Sequence, residues 1–335
     1  MAQHAGVSTA TVSAVVNDAT WVSDETRARV KDAARTLGYR PNRLARSLKT
    51  RETGTVGVIV SDLTNPYFTE VVRALGRALR ADDRTLLLGD AEQSYDLGTK
   101  HYETLPEKRV DGLVLIGASV PAEVVSAHAQ EAPVVAIERN YATEGVTCLL
   151  VDSEQGGYDA TSHLIALGRR RIAAITGPSV GPGQSTYGRA ARHEGYRRAL
   201  VEAGRGYDPA LVVEGDFQFE GGRAAMRRLL DLPEQPDAVF ASNDLMALGA
   251  MLEARLSSLR VPDDVAVVGY DDVPMAALVT PSLTTLAMPK EALGREAAAV
   301  LERRLRGVDG VSVPRQMFSA TLVVRESSGA GAALA

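Results

Sequence analysis

The sequence predicts a small all-α headpiece followed by an α/β body of two lobes built on parallel sheets. Three observations carry this. Residues 1–37 show only the 3.6-residue spacing of short helices. From Val56 onward, short β-branched runs alternate with helical patterns of about 12–16 residues, the signature of parallel βαβ units. The length, 335 residues, suits two or three domains at roughly 100–200 residues each, and about ten strands exceed one comfortable sheet. The break between lobes is expected near Asp152.

In the head, Ser8 is a good N-cap, and Val12, Val15 and Val16 give the buried stripe of a helix over 9–17 that Asn17-Asp18 ends. Ala5-Gly6-Val7-Ser8 places a tight glycine turn before it, as a helix-turn-helix requires, with Val7 and Val12 packing between helices. Ser8, Thr9, Ala10, Ser13 and Ala14 then face outward, the positions a recognition helix offers to a major groove. Ser23 caps a further helix in which Ala28, Val30, Ala33, Ala34 and Leu37 face inward before Gly38 stops it. Pro41 breaks the chain, and the basic stretch Asn42–Lys49 carries Leu44, Ala45 and Leu48 on one face, with Thr50–Thr55 as connector.

Strands are expected at Val56–Val60, Thr85–Leu88, Gly112–Ile116, Val134–Ile137, Leu149–Val151, Ile172–Thr176, Leu211–Val213, Ala238–Ala241, Val265–Gly269 and Ala320–Val324. Helices are expected over 66–80, 94–106, 154–167, 187–203, 220–231, 244–257 and 289–306.

Charge is distributed unevenly. Residues 1–51 hold nine Lys/Arg against four acids, so a net −5 for the whole chain leaves −10 on the body. A basic head on an acidic body points to a polyanion met by the head alone. The single Cys148 excludes an intrachain disulfide and a Cys-rich zinc site, and the five histidines lack metal-ligand spacing. No apolar run approaches the roughly 18 residues of a membrane span, and no apolar leader opens the chain, which predicts a cytoplasmic protein. Gly177-Pro178-Ser179-Val180-Gly181 has the spacing of a nucleophile elbow, but flanking prolines and a long loop replace the immediate helix that motif needs. No phosphate-binding or dinucleotide-binding glycine motif follows a strand, so neither cofactor nor metal is expected, and the chain is read as a non-enzyme.

Ala5-Gly6-Val7-Ser8, Thr11-Val12-Ser13, Val15-Val16-Asn17, Leu37-Gly38-Tyr39 and Pro41-Asn42 resemble the headpiece of the lactose-repressor (LacI/GalR) family of bacterial transcriptional regulators. The similarity continues through Asn65-Pro66-Tyr67-Phe68, Arg109-Val110-Asp111-Gly112, Ser242-Asn243-Asp244, Gly269-Tyr270-Asp271-Asp272 and Pro281-Ser282-Leu283-Thr284-Thr285, covering nearly the whole chain in order. It implies a helix-turn-helix headpiece over 1–40 and a hinge helix and linker over 41–53. An effector-binding and dimerisation domain over 54–326 would have the two-lobed periplasmic-binding-protein-like fold with three crossovers, near Asp152, Leu286 and Ser312. The N-lobe would take about 54–152 and 287–311, the C-lobe about 153–285 and 313–326, with a disordered tail over 327–335.

The resemblance further implies a repressor that binds a pseudo-palindromic operator as a homodimer. DNA contacts would come from Ser8, Thr9, Ala10, Thr11, Ser13, Ala14 and Asn17 on the recognition helix. In the hinge they would come from Asn42, Arg43, Ala45, Arg46, Leu48 and Lys49, with Leu48 wedged between central base pairs in the minor groove. Effector contacts would come from Asp62, Tyr67, Phe68, Glu138, Arg139, Arg192, Phe217, Asn243 and Asp271. Carboxylates, arginines and aromatic faces together suit a sugar, whose hydroxyls both donate and accept; some relatives take purines or nucleosides. Asp244 and Asp272 read equally as helix caps. The alternative is a solute-binding protein of the same fold, for which the basic head has no use. Two features depart from the family's pattern. The chain starts where the first helix is already under way, which suggests a start codon further upstream, and Ala14 stands where many relatives carry arginine.

Overall fold

The computed structural model describes residues 1–16, 19–39, 52–178, 187–308 and 314–329. They fall into two compact units, Met1–Thr53 and Gly54–Ala335.

The head contains three helices among its described residues: α1 (Ala2–Ala5), α2 (Thr9–Val16) and α3 (Asp24–Thr36). Gly6, at φ 61°, turns the chain between α1 and α2, a left-handed conformation that glycine adopts without strain. The Arg29 guanidinium donates to the carbonyls of Ala5 (2.6 Å) and Gly6 (3.1 Å) and pins that turn to α3. Ser8 Oγ accepts from the Thr11 amide at 3.0 Å and Ser23 caps α3, so both expected caps are present. Ala5, Val15, Val22, Val30 and Ala33 form the small core.

Two inward assignments on α3 are corrected. Ala28 lies two residues, about 200° of helical rotation, from Val30 and is exposed. Leu37 falls past the last turn and is 49% exposed. On α2, Ser8, Thr9, Ala10 and Ser13 are exposed, Thr11 is half-buried, and Ala14, expected to face outward, is half-buried against the head core. Asn17 and all six hinge positions, Asn42, Arg43, Ala45, Arg46, Leu48 and Lys49, lie outside the described residues.

In the body, β1 (Thr55–Val60), α4 (Pro66–Arg80), β2 (Thr85–Asp90), α5 (Tyr95–Glu107), β3 (Gly112–Ile116), α6 (Ala122–Ala129), β4 (Val134–Ile137) and β5 (Val146–Val151) build the first lobe. The second contains α7 (Ser153–Ala166), β6 (Ile172–Thr176), α8 (Tyr187–Glu202), β7 (Val212–Glu214), α9 (Phe219–Leu230), β8 (Ala238–Ala241), α10 (Asp244–Leu256), β9 (Ala266–Asp271) and β10 (Thr284–Ala287). The chain returns to the first lobe for α11 (Lys290–Leu305) and β11 (Arg315–Phe318), then crosses again for β12 (Thr321–Val323).

The two six-stranded sheets have orders β11-β5-β4-β3-β1-β2 and β12-β10-β9-β8-β6-β7, parallel except where β12 runs against β10. Central strands β3, β4, β6 and β8 are buried along their whole length, as continuous apolar runs in a parallel sheet should be. In each sheet the winding reverses direction beside its first strand, at β1/β3 and at β6/β8, and ligands of such sheets bind beyond the carboxyl ends of the strands there.

The third crossover lies after Phe318, not near Ser312. Arg315–Phe318 pairs in parallel with Cys148–Val151 and so belongs to the first lobe. This edge strand alternates exposed and half-buried residues and carries no apolar run that would have announced it. The tail is also corrected. Ser327 and Ser328 are buried: Ser327 Oγ accepts from the Thr284 amide (2.8 Å) and donates to the Val267 carbonyl (2.6 Å). Ser328 Oγ lies 2.9 Å from His163 Nε2. β10 and α6 were not expected either. No helix among the described residues is long and apolar enough to cross a membrane.

Candidate functional site

The carboxyl ends of both sheets face one cavity of about 120 Å³. The segments after β1 to β4 and after β6 to β8 contribute, as does the end of β9. Asp62 follows β1, Gln93 follows β2, Gly117 follows β3, and Glu138-Arg139 follow β4. From the second lobe come Pro178 after β6, Arg189 and Arg192 on α8, Phe217 after β7, Asn243 after β8, and Asp271 at the end of β9. Asn65 caps α4 by accepting from the Tyr67 amide at 3.0 Å, which sets Tyr67 and Phe68 on the first turn facing the cavity. All nine residues named above as effector contacts line this one space. Ser61, Asn65, Gln93 and Arg189 were missed, although Gln93 sits where the strand-end rule would look, three residues beyond Asp90.

Two phenylalanines are seated by glycines. Phe68 lies over Gly117, where a Cβ would come within 2.5 Å of its ring, and Phe217 lies over Gly177, where the gap would be 2.0 Å. Neither site admits a side chain without displacing the ring. One ring comes from each lobe, and Phe68 also meets Tyr67 edge-on at 5.0 Å.

Polar groups bridge the lobes. Gln218 Nε2 donates to Asp62 Oδ2 at 2.5 Å, and Arg192 Nη2 stands 3.6 Å from Glu138 Oε2. Gln218 carries no sequence signal; only the closed arrangement reveals it. Arg192 also donates to the Ser242 carbonyl (2.7 Å) and stacks 3.8 Å above the Tyr270 ring. Glu138, at φ 59°, turns its Oε1 back to accept from the Val151 amide at 2.9 Å. The Asn243 amide is already engaged: Oδ1 caps α10 through the Met246 amide and Nδ2 donates to the Phe217 carbonyl, both at 2.9 Å. Asn243, rather than Asp244, is therefore the helix cap. Asp244 is wholly buried and accepts from Thr285 Oγ1 (2.5 Å) and the Val273 amide (2.8 Å), while Asp272 pairs with Arg325 at 2.7 Å. Among the described residues, Tyr67 Oη and Arg192 Nε are buried at the cavity without a hydrogen-bond partner.

The carboxylates differ in proton affinity. Burial raises that of Asp62, but hydrogen bonds from Thr64, Gln218 and Gln93 outweigh it and hold the group below the usual carboxylate range. Burial raises Glu138, against the opposing charge of Arg192. Burial pushes Asp271 up to about 7 against Arg192, and burial together with the charge of Asp271 pushes Asp244 up to about 8. A carboxyl whose folded pKa lies above its unfolded one contributes stability at acid pH that is lost as pH rises through the folded value. The wild type should therefore lose thermal stability relative to Asp244→Asn as pH rises from about 4 to about 8, and the difference should level off above that. Parallel melting profiles for the two proteins over that range would contradict this assignment.

Residues 1–42 match the family described as bacterial regulatory proteins, lacI family, and residues 161–328 match a periplasmic binding protein-like domain. The ribose operon repressor of Escherichia coli K12 is 40% identical over 309 residues, 91% of this chain and 92% of its own length. The chain belongs to the LacI family. Solved structures of this family superpose over the whole length. The lac repressor dimer bound to operator and an anti-inducer matches with a TM-score of 0.83 at 29% identity, covering 98% of this chain and 97% of that one. The complex of the transcriptional regulator CelR with cellobiose matches at 0.74 and 37% identity, covering 97% and 98%. In this LacI-family chain the family's two parts thus correspond to the basic helical head and to the two-lobed body with its shared cleft.

Proposed function

We propose that this regulator is a cytoplasmic repressor whose head binds a pseudo-palindromic operator as a homodimer and whose cleft takes a sugar. The observation that carries the effector reading is the convergence of three carboxylates, three arginines and two opposed phenylalanines on one interlobe cavity. Acceptors on Asp62, Glu138 and Asp271 alternate with donors on Arg139, Arg189, Arg192 and Tyr67, which matches hydroxyls that do both. The ribose operon repressor among its relatives supports the same class. Ligand acts by changing how the lobes close, and no catalytic step is assigned to the cleft.

A thermal-shift screen of the full chain against pentoses, hexoses, nucleosides and purines tests this. A ligand at about 100 times its Kd should stabilise the protein by roughly 2.7 kcal/mol, a rise of a few degrees. Response to purines alone would overturn the sugar assignment. For the head, the family resemblance assigns Leu48 the minor-groove wedge. Leu48→Ala should weaken specific operator binding at least about tenfold while leaving nonspecific binding within about twofold. Equal losses in both would refute the wedge.

A further inference from the structure

We propose that the buried network Glu302–Arg84–Asp111 is the positioning device through which the state of the cleft reaches the root of the linker at Gly54, an inference that rests on the regulator reading above. The network lies at the amino ends of the first sheet's strands, opposite the cleft: Gly54 precedes β1, Arg84 precedes β2 and Asp111 precedes β3. Asp111 Oδ2 accepts from the Gly54 amide at 2.8 Å and from Arg84 Nη1 at 2.7 Å, and Arg84 Nε donates to Glu302 near the foot of α11. The Gly54 carbonyl accepts from the Thr85 amide at 2.8 Å, so the first residue of the body is held on both sides. The three charged side chains are at most 10% exposed. Burying ionic groups costs about as much as their pairing returns, and apolar side chains of the same volume would hold the fold as well. Stability alone therefore does not account for them.

The other end of α11 is tied to the cleft. Lys290 Nζ donates to the carbonyls of Asp271 (3.1 Å) and Asp272 (2.5 Å) and pairs with Glu70 on α4 at 2.6 Å. Between these ends α11 rises about 18 Å over twelve residues as one uninterrupted helix. Gly294 lets it lie against α4 so closely that a Cβ there would come within 2.6 Å of the Leu75 amide nitrogen. When the lobes move and Asp271 shifts, the lysine end of α11 moves with it. A rigid helix delivers that displacement to Glu302, and Arg84 and Asp111 pass it to Gly54.

A double-mutant cycle on DNA affinity tests this with the full-length chain and no ligand. The probe is a labelled duplex recovered from random-sequence DNA by selection on the wild-type protein. Gln218→Ala releases the cleft at Asp62, and Glu302→Gln cuts the network at the far end. Substitutions so far apart are additive by default. Gln218→Ala should change the duplex Kd about tenfold in the wild-type background and less than about twofold in Glu302→Gln, with Glu302→Asp restoring the larger response. Equal fold-changes in both backgrounds, including no change in either, overturn the proposal. Should Glu302→Gln melt below the assay temperature, Arg84→Lys, which keeps the charge and loses the planar fork, enters the same cycle under the same criterion. A wild-type chain that selects no duplex overturns the regulator reading, and this inference with it; a selected duplex with an additive cycle overturns this inference alone.

Discussion

Arg192→Ala is expected to abolish the thermal response to any cleft ligand and to destabilise the protein by about 3 kcal/mol at pH 8. Arg192 holds both lobes' carboxylates in check: its charge opposes the upward shifts of Glu138 and Asp271. It also anchors α8 to the Ser242 carbonyl at 2.7 Å. Without it two buried acids face each other with no cation of equal reach, and both shift further up. The stability loss should therefore be largest at alkaline pH and shrink towards pH 5, where the acids take up protons. Differential scanning calorimetry at several pH values measures both features. A loss independent of pH would show that Arg192 acts by packing alone. Arg192→Lys should regain part of the stability without regaining the ligand response, because an ammonium cannot donate to Ser242 and face Glu138 as the guanidinium does.

Gly157→Val should destabilise the second lobe by about 3 kcal/mol or more, with a fall in melting temperature of roughly 5–10 °C. A Cβ at Gly157 on α7 would come within 2.1 Å of the Arg192 carbonyl, and one at Gly195 on α8 within 2.0 Å of the Glu154 carbonyl. Both obstacles are backbone, so no rotamer change relieves them and the two helices must part. Because α8 carries Arg192, parting them also withdraws the guanidinium from the cleft. Ligand response should fall along with stability in this variant, as measured in the same melts. Gly204→Ala is the control: nothing lies within 4 Å of its Cβ position, and only its positive φ of 68° adds a cost, about 1 kcal/mol. Retention of full ligand response in a destabilised Gly157→Val would separate helix spacing from arginine placement and overturn the link.

The fold was legible wherever the burial pattern is written into residue type. β3, β4, β6 and β8 are continuous apolar runs bounded by charged or polar residues, glycine or proline, and α4 opens on Asn65-Pro66, so their limits agree with the sequence reading residue for residue. Legibility failed at the edges. β11 reads Arg315-Gln316-Met317-Phe318 and is a strand because Cys148–Val151 offers it hydrogen bonds, which no local pattern encodes. Its misplacement moved the third crossover. Ser327-Ser328 likewise looks like a polar tail, yet the pair is buried because Thr284, Val267 and His163 supply partners from distant parts of the chain.

The site divides along the same line. Polar residues directly after buried strands, such as Asp62, Glu138 and Asp271, were visible because parallel sheets present those positions to ligands whatever the loops contain. Sequence alone thus determined that this chain has a basic helical head, a two-lobed α/β body and acids, arginines and aromatics at its strand ends, since each follows from local periodicity and charge. Only the tertiary structure decided which groups meet. It brought Gln218 to Asp62 across the cleft, committed the Asn243 side-chain amide to the backbone of Phe217 and Met246, and tied one end of α11 to Asp271 through Lys290 and the other to Arg84 through Glu302. Those pairings depend on how two sheets pack around a shared opening. Contacts such as Gln218–Asp62 and Arg84–Glu302, between residues more than 150 positions apart, leave no trace in the neighbours of either one.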